Sequence, residues 1–220
     1  MTHAGVAGPL LASTSGVILL CAALALWHRA TAGIVRALAL QGAALAASAV
    51  ILGVSLHKGA LLVTASLILV VKAMVIPFML RRMVRLDPSS SETDPVVNVP
   101  ASLVVSVLLT FVAFVASRPM VYAIGGALVA LAPYGLATVL IGFFVLVSRR
   151  KAIAQMVGIV LIDNGTGLVA LLLTTGMPLL TELGSTLDVL LMVVVFRVLA
   201  ARIYGETGTL DLDSLEELRD

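Results

Sequence analysis

The sequence predicts an all-α integral membrane protein with about seven transmembrane helices, and three observations support this fold class. Of its 220 residues, 60% are hydrophobic and only 12% are charged, and the mean hydropathy is +1.15. Long windows, such as 6–27 and 122–148, contain no charged residue. The basic residues gather in short loops on alternate sides of the apolar segments. A soluble domain of this length cannot bury so much apolar surface, so the bilayer must act as its solvent.

Each apolar segment is long enough to cross a membrane as a helix. The N-terminus lacks the basic region of a signal peptide, so we expect the first segment to be retained. The fifth segment contains Pro133, which predicts a single kinked or tilted helix. The segments run over 7–27, 33–55, 60–80, 100–117, 122–148, 153–175 and 179–203.

The linker RLDPSSSETDPVVN is rich in Ser, Pro and acids and separates three N-terminal helices from four C-terminal ones. The predicted units are a three-helix extension over 1–84, a cytoplasmic linker over 85–99, two connecting helices over 100–148, the last two helices over 149–204, and a cytoplasmic tail over 205–220.

The distribution of basic residues predicts the orientation. Only Lys58 and Arg118 lie on one side, whereas the other side holds the basic first, third and fifth loops. By the positive-inside rule the N-terminus is outside and the C-terminus is cytoplasmic. The basic loops, with one residue just inside the second helix, contain Arg29, Arg36, Arg81, Arg82, Arg85, Arg149, Arg150 and Lys151.

Composition excludes several classes of function. The net charge of +2 is small and confined to loops, which argues against nucleic-acid binding. A single cysteine, Cys21, excludes an internal disulfide and a cysteine-based metal cluster. The three histidines, His3, His28 and His57, are scattered, so we expect no metal and no cofactor.

Five ionisable residues fall within or at the edge of the predicted helices: Lys72, Asp163, Glu182, Asp188 and Arg197. Each costs about 2.5–3.5 kcal/mol at mid-helix and therefore needs a reason to be there. At about 1.5 Å per residue, Asp163 lies about 18–20 Å, Asp188 about 21 Å and Lys72 about 14 Å from the cytoplasmic edge. Groups at such depths can pair and share protons, which predicts a proton relay of Asp163, Asp188 and Lys72.

Two of these positions have alternative interpretations. Asp-Asn-Gly at 163–165 is a turn signal in soluble proteins, but a turn there would cut the apolar run into pieces too short to span. Ser185 to Asp188 matches a capping box, which would place Asp188 near the outer interface. A helix beginning at Pro178 would instead place Asp188 deep and Glu182 at the edge.

Three other polar residues are assigned supporting roles. Asn164 is expected to hydrogen-bond Asp163 or an ordered water, and Arg197 to snorkel to the cytoplasmic interface or to pair with a partner subunit. The stretches LWHRATAGIVRALALQGAALA and LVSRRKAIAQMVGIVLIDNGTGLVA both read as helix end, basic turn and helix. This weak repeat places Gln41 at about the depth of Asp163.

The acidic tail GETGTLDLDSLEELRD is too short to fold alone, and its leucines predict a face that docks on a partner. The residues assigned to docking are Leu210, Asp211, Leu212, Asp213, Leu215, Leu218 and Arg219.

GTLDLDSLEELR after an apolar helix resembles the end of NuoK-type subunits of respiratory complex I, and more closely the E component of hydrogenase-4, a NuoK relative lengthened at its N-terminus. RRKAIAQMVGIVLIDNGTGLVAL, TELGSTLDVLL and TASLILVVKAMVIPFML resemble further parts of that component. By this resemblance, Val160 stands where NuoK itself has its central membrane glutamate, and the glutamate of its last helix falls near Met192. Asp163 and Asp188 lie about one helical turn from those positions.

The resemblance implies NuoK-like C-terminal helices and a non-redox membrane-arm subunit of a complex I-like hydrogenase or formate hydrogenlyase. Its intramembrane carboxylates and lysine would then serve proton or ion translocation in a bacterial or archaeal plasma membrane. The partners it implies are antiporter-like and other membrane-arm subunits, with peripheral hydrogenase and iron–sulfur subunits contacted indirectly. The alternatives are a NuoK-like subunit of a multisubunit cation/proton antiporter of the Mrp type, and a purely structural membrane anchor.

Overall fold

The computed structural model describes residues 2–28, 30–86, 98–149 and 151–173, together with 184, 189–191 and 193–195. Within these residues the chain is helical and contains six helices long and apolar enough to cross a membrane. They correspond to the first six predicted segments. The seventh, 179–203, lies largely outside the described residues. The chain is thus a multi-pass, all-α membrane protein.

Only a few residues of the sequence separate consecutive helices, except between α3 and α4. Because α3 contains a π-helical stretch, we use one label for the whole run 59–86. The helices are α1 (Thr2–Trp27), α2 (Thr31–Ser55), α3 (Gly59–Ile68, Leu69–Val75 and Ile76–Leu86), α4 (Val99–Ile124), α5 (Ala132–Ser148) and α6 (Ala152–Leu173).

The prediction of one kinked helix over 122–148 is wrong. The chain breaks at Gly125 and Gly126, whose φ angles of 70° and 97° lie in the left-handed region that glycine tolerates. Residues before this break extend α4, which continues past Pro119. Pro133 lies in the first turn of α5, where its missing N–H would have no helical partner, so it begins this helix instead of bending one.

The arrangement of polar and apolar side chains fits a protein dissolved in lipid. In α4 the buried side chains are small, whereas large side chains such as Val107 and Phe111 are exposed. Small residues allow close approach between helices, and large apolar ones can face hydrocarbon. The buried polar residues include Gln41, Lys72 and Asn164, each fully buried.

The middle of α3 is a π-helix over Leu69–Val75, marked by a bond from the Ile76 N–H to the Val71 carbonyl. Pro77 follows directly. A proline removes one backbone donor, and its ring collides with the carbonyl four residues earlier, at Ala73. Widening of the preceding turn relieves this collision. Lys72 therefore sits in the one helical stretch of the described chain with π geometry.

Helices α5 and α6 are antiparallel and touch through glycines. A Cβ on Gly135 would lie 2.8 Å from the Gly165 carbonyl oxygen, and a Cβ on Gly142 would lie 2.9 Å from that of Gly158. Such contacts allow the two backbones to approach closely. They fix the register of α6, the helix that carries Asp163.

Two hydrogen bonds between helices span the same number of residues in the sequence. Arg149 Nη2 donates to the Leu26 carbonyl at 3.3 Å, and Asn164 Nδ2 donates to Gln41 Oε1 at 2.9 Å. Each bond joins residues 123 positions apart. The same offset of 123 residues relates α1–α2 to α5–α6 along the sequence. Counterparts buried in both copies include Ser15 and Thr138, Ile18 and Ile141, Leu38 and Leu161, and Leu45 and Leu168.

Candidate functional site

The centre of the candidate site is an ion pair between α3 and α6. Lys72 Nζ lies 2.9 Å from Asp163 Oδ2, and the two side chains are 0% and 7% exposed. Asp163 is ten residues from either end of the span Ile153–Leu173, and Lys72 is near the middle of Gly59–Val84. Both therefore lie about 15 Å or more from the ends of their helices. The turn interpretation of 163–165 is wrong, because α6 is continuous through these residues.

A second, uncharged pair lies beside the ion pair. Asn164 Nδ2 donates to Gln41 Oε1 at 2.9 Å, and Gln41 Nε2 donates to the Ile18 carbonyl at 3.0 Å. Both amide side chains are fully buried. This short chain of hydrogen bonds joins α6 to α2 and α2 to α1. We expected Asn164 to bond Asp163 or a water, but its amide nitrogen bonds Gln41.

The backbone next to Gln41 positions the lysine. A Cβ on Gly42 would lie 2.7 Å from the carbonyl carbon of Lys72 and 2.8 Å from its carbonyl oxygen. Backbone atoms cannot swing aside as a side chain can, so only glycine permits this approach between α2 and the π stretch of α3. Gly42 therefore contributes to the depth at which Lys72 meets Asp163.

Two further polar atoms in the described residues are buried without a hydrogen-bond partner: Ser15 Oγ and Asn164 Oδ1. Ser15 is fully buried on α1, three residues before the carbonyl that accepts from Gln41. A buried acceptor or hydroxyl normally finds a partner, often an ordered water. Of the two atoms, Asn164 Oδ1 belongs to the residue that follows Asp163, so it gives the site unused hydrogen-bonding capacity beside the ion pair.

The site can hold a proton in two arrangements. With the proton on Lys72 Nζ the pair is ionic, and with the proton on Asp163 Oδ2 it is neutral, so the pair has no net charge in either. Such a pair can exchange its proton internally without any change in its net charge. Within the described ranges, no group of three or more His, Cys, Asp and Glu residues is placed to hold a metal ion.

Several predicted site residues fall outside the described residues. Asp188, Glu182 and Arg197 are among them, so the pairing of Asp188 with Asp163 stays a prediction, and so does the choice between its deep and capping positions. The same holds for the predicted docking residues of the tail, 210–219. Of the predicted relay, the structure brings together Lys72 and Asp163, with Asn164 and Gln41 beside them.

Arg149 is a polar residue whose position the sequence did not reveal. It is buried, its guanidinium donates to the end of α1, and burial lowers the pKa of this guanidinium. We placed it in an exposed basic loop because it adjoins Arg150 and Lys151. The repeat could have identified it, since its counterpart Leu26 is also fully buried.

Comparisons with known proteins place the chain among its relatives. It is 40% identical to the uncharacterized protein Rv0085 of Mycobacterium tuberculosis, and the alignment covers 94% of each chain. It is 38% identical over 80 residues to the hydrogenase-4 component E of Escherichia coli and to that of Shigella flexneri, covering 36% of this chain and 37% of theirs. No family model and no solved structure matches it. The chain thus belongs to the same family as the mycobacterial protein Rv0085 and is distantly related to hydrogenase-4 component E.

Proposed function

We propose that this chain is a membrane-arm subunit of a hydrogenase-4-like, complex I-related assembly, and that Lys72 and Asp163 relay protons within the membrane. The partial similarity to hydrogenase-4 component E supports the assembly. The observation that carries the relay is the buried 2.9 Å contact between Lys72 Nζ and Asp163 Oδ2 at mid-membrane.

A purely structural explanation of the pair is weaker, because the chain already joins helices at this depth without charge. The Gln41–Asn164 hydrogen bond lies one residue away on α6. An amide pair gives an interhelical bond while avoiding the large desolvation cost of two ions. Ionisable groups are the costlier choice, and what they add is the ability to exchange a proton.

The steps assigned to this chain are transfer of the pair's proton from Nζ to Oδ2, its release toward a further group, and uptake of a new proton by Nζ, which restores the ion pair. Asp188 is the proposed next carboxylate, with Glu182 nearer the outer edge. Asn164 Oδ1, unpaired among the described side chains, can accept a hydrogen bond from water beside Asp163. Arg197 is proposed to pair with a partner or reach the interface.

The proposed orientation and location of the chain rest on its basic loops and its tail. The N-terminus is outside, the C-terminus is cytoplasmic, and the seventh span and tail complete the NuoK-like part in a bacterial or archaeal plasma membrane. The leucine-rich tail, residues 210–219, docks on another subunit of the assembly. Oxidation and reduction take place in partner subunits, and this chain contributes to the coupled movement of protons or ions.

The test uses Asp163→Asn in the intact complex, in inverted membrane vesicles. The variant keeps the size of the side chain but removes its titratable group. We expect redox turnover to continue while the pH gradient formed per turnover falls severalfold. Turnover and gradient are recorded together, after assembly is verified by the yield of the purified complex.

The matched control is Gln41→Leu, which removes an interhelical hydrogen bond at the same depth but no ionisable group. We expect this variant to retain the wild-type pH gradient per turnover. A normal gradient in Asp163→Asn would contradict the relay. Loss of gradient in both variants would assign the effect to packing.

The ion pair also supports a second candidate function, that of a structural anchor between α3 and α6. One double variant distinguishes the anchor from the relay. Lys72→Met with Asp163→Leu replaces the pair by apolar side chains of similar size. An anchor predicts an assembled complex that still couples, because hydrophobic packing can replace a buried ion pair. The relay predicts an assembled complex that does not couple.

A further inference from the structure

A groove runs between α2 and α3 at the end where α2 begins and α3 ends. Its deeper part has a volume of about 430 Å³ and an apolar wall that includes Ala73, Met74, Pro77 and Phe78. Its outer part has a volume of about 270 Å³ and is lined by Arg36 and Arg81 among others. Arg81 lines both parts, so the two cavities adjoin.

The sequence explains why the groove between α2 and α3 is not filled by side chains. On the α2 side the lining includes two small residues, Ala32 and Ala39. On the α3 side, Pro77 and the π stretch before it alter the helix where Met74 and Phe78 project outward, both largely exposed. A helix that departs from regular α geometry leaves room that neighbouring side chains do not fill.

The two arginines lie at the same depth. Arg36 is five residues after the start of α2, Thr31, and Arg81 is five residues before the end of α3, Leu86. Each is therefore about 7–8 Å inside its helix end. Neither forms an ion pair with an acidic side chain of the described residues. A guanidinium offers a fork of N–H donors that matches phosphate oxygens.

We propose that this groove binds an anionic phospholipid, with the phosphate between Arg36 and Arg81 and one acyl chain along Met74, Pro77 and Phe78. Two positive charges above an apolar trough complement a molecule that is anionic at one end and hydrocarbon at the other. A peptide is a poorer occupant, because its backbone N–H and C=O groups would lack partners at this depth.

The site is distinct from the proposed relay and does not depend on it. Lys72 points into the α3–α6 contact, whereas its neighbour Ala73 lines the groove. The acidic tail, residues 205–220, is an alternative occupant for the arginines by charge, and inorganic phosphate shares the chemistry of the headgroup. The experiment separates these possibilities.

The full chain is purified in detergent, and bound phosphatidylglycerol and phosphatidylcholine are counted by native mass spectrometry. We expect the wild type to retain phosphatidylglycerol preferentially and the Arg36→Gln/Arg81→Gln variant to bind it at least about tenfold more weakly, from the loss of two charge-assisted contacts. The matched control is Arg118→Gln, an exposed arginine on α4, which should bind like the wild type.

Thermal melting gives a second readout that does not depend on yield. Phosphatidylglycerol should raise the melting midpoint of the wild type and of Arg118→Gln but not of the double variant, and inorganic phosphate alone should raise none. Equal retention of the two lipids would overturn the proposal, as would stabilisation by phosphate alone. Tighter lipid binding after removal of residues 205–220 would show that the tail occupies the groove in the intact chain, which would also overturn it.

Discussion

Two neighbouring residues of α6 each pair with a side chain of another helix, and the two pairs differ in chemistry. Asp163 pairs with Lys72 of α3, and Asn164 pairs with Gln41 of α2. Successive residues of a helix point about 100° apart, so each faces a different neighbouring helix. One pair is ionisable and the other is not, although both are buried at the same depth. The comparison shows that α6 meets α3 through an ionisable pair and α2 through an uncharged one.

The largest loss of stability is expected when only one residue of the ion pair is replaced. In Lys72→Met, Asp163 loses the cation opposite it in the apolar interior, and we expect a loss of about 3–5 kcal/mol in stability. The measurement is the unfolding free energy in detergent micelles or bicelles. The double variant Lys72→Met/Asp163→Leu is the control, and it should recover most of this loss. A single variant as stable as the wild type would mean that the pair contributes little in lipid.

The next largest loss of stability is expected at Gly42, where α2 approaches the backbone of Lys72 closely. In Gly42→Ala the new methyl group meets the backbone of Lys72 at 2.7 Å, so α2 and α3 must separate. We expect a loss of about 1–3 kcal/mol, as for overpacked cores, and a weaker proton gradient per turnover.

The matched control for that variant is Gly16→Ala on α1, where an added Cβ has no atom within 4 Å. Alanine favours a helix over glycine by about 1 kcal/mol or less, so this variant should be as stable as the wild type or slightly more so. Thermal melting of the two variants side by side measures the difference. Equal melting midpoints would contradict the close contact at Gly42.

The smallest effect is expected from the amide pair. Interhelical hydrogen bonds in membranes average about 0.6 kcal/mol, so Asn164→Leu should lower stability only slightly. A double-mutant cycle with Gln41→Leu would measure the coupling between the two side chains. A coupling energy larger than that of the ion pair would reverse the distinction drawn between the two pairs.

The place of Asp163 inside a continuous helix could be predicted from sequence, because the thickness of the bilayer limits the alternatives to that helix. A turn at 163–165 would leave fragments too short to span, and the similar depths of Lys72 and Asp163 predicted that they could pair. The π stretch could not be predicted, because one widened turn leaves no trace in apolar periodicity. The break at Gly125 was also missed, since two glycines in an apolar run fit a membrane helix as well as a turn.

The partner of Asn164 was missed for a different reason. The repeat placed Gln41 at about the depth of Asp163, but depth does not tell which helices are neighbours. The contact across the repeat becomes evident only when α2 and α6 are seen side by side. A fixed offset of 123 residues between contacting amides is a signal that sequence comparison of the two halves could have used.

The repeat also bears on how many protons the site can hold. At the same offset, the residue that corresponds to Asp163 is Leu40, which cannot bind a proton. Leu40 is 54% exposed and faces away from the core that encloses Asp163. Among the described residues, the Lys72–Asp163 ion pair thus has no counterpart at this offset. Within the described part of the chain, the proposed relay therefore rests on this one pair, and the proposed Asp188 would be a second ionisable group at a similar depth.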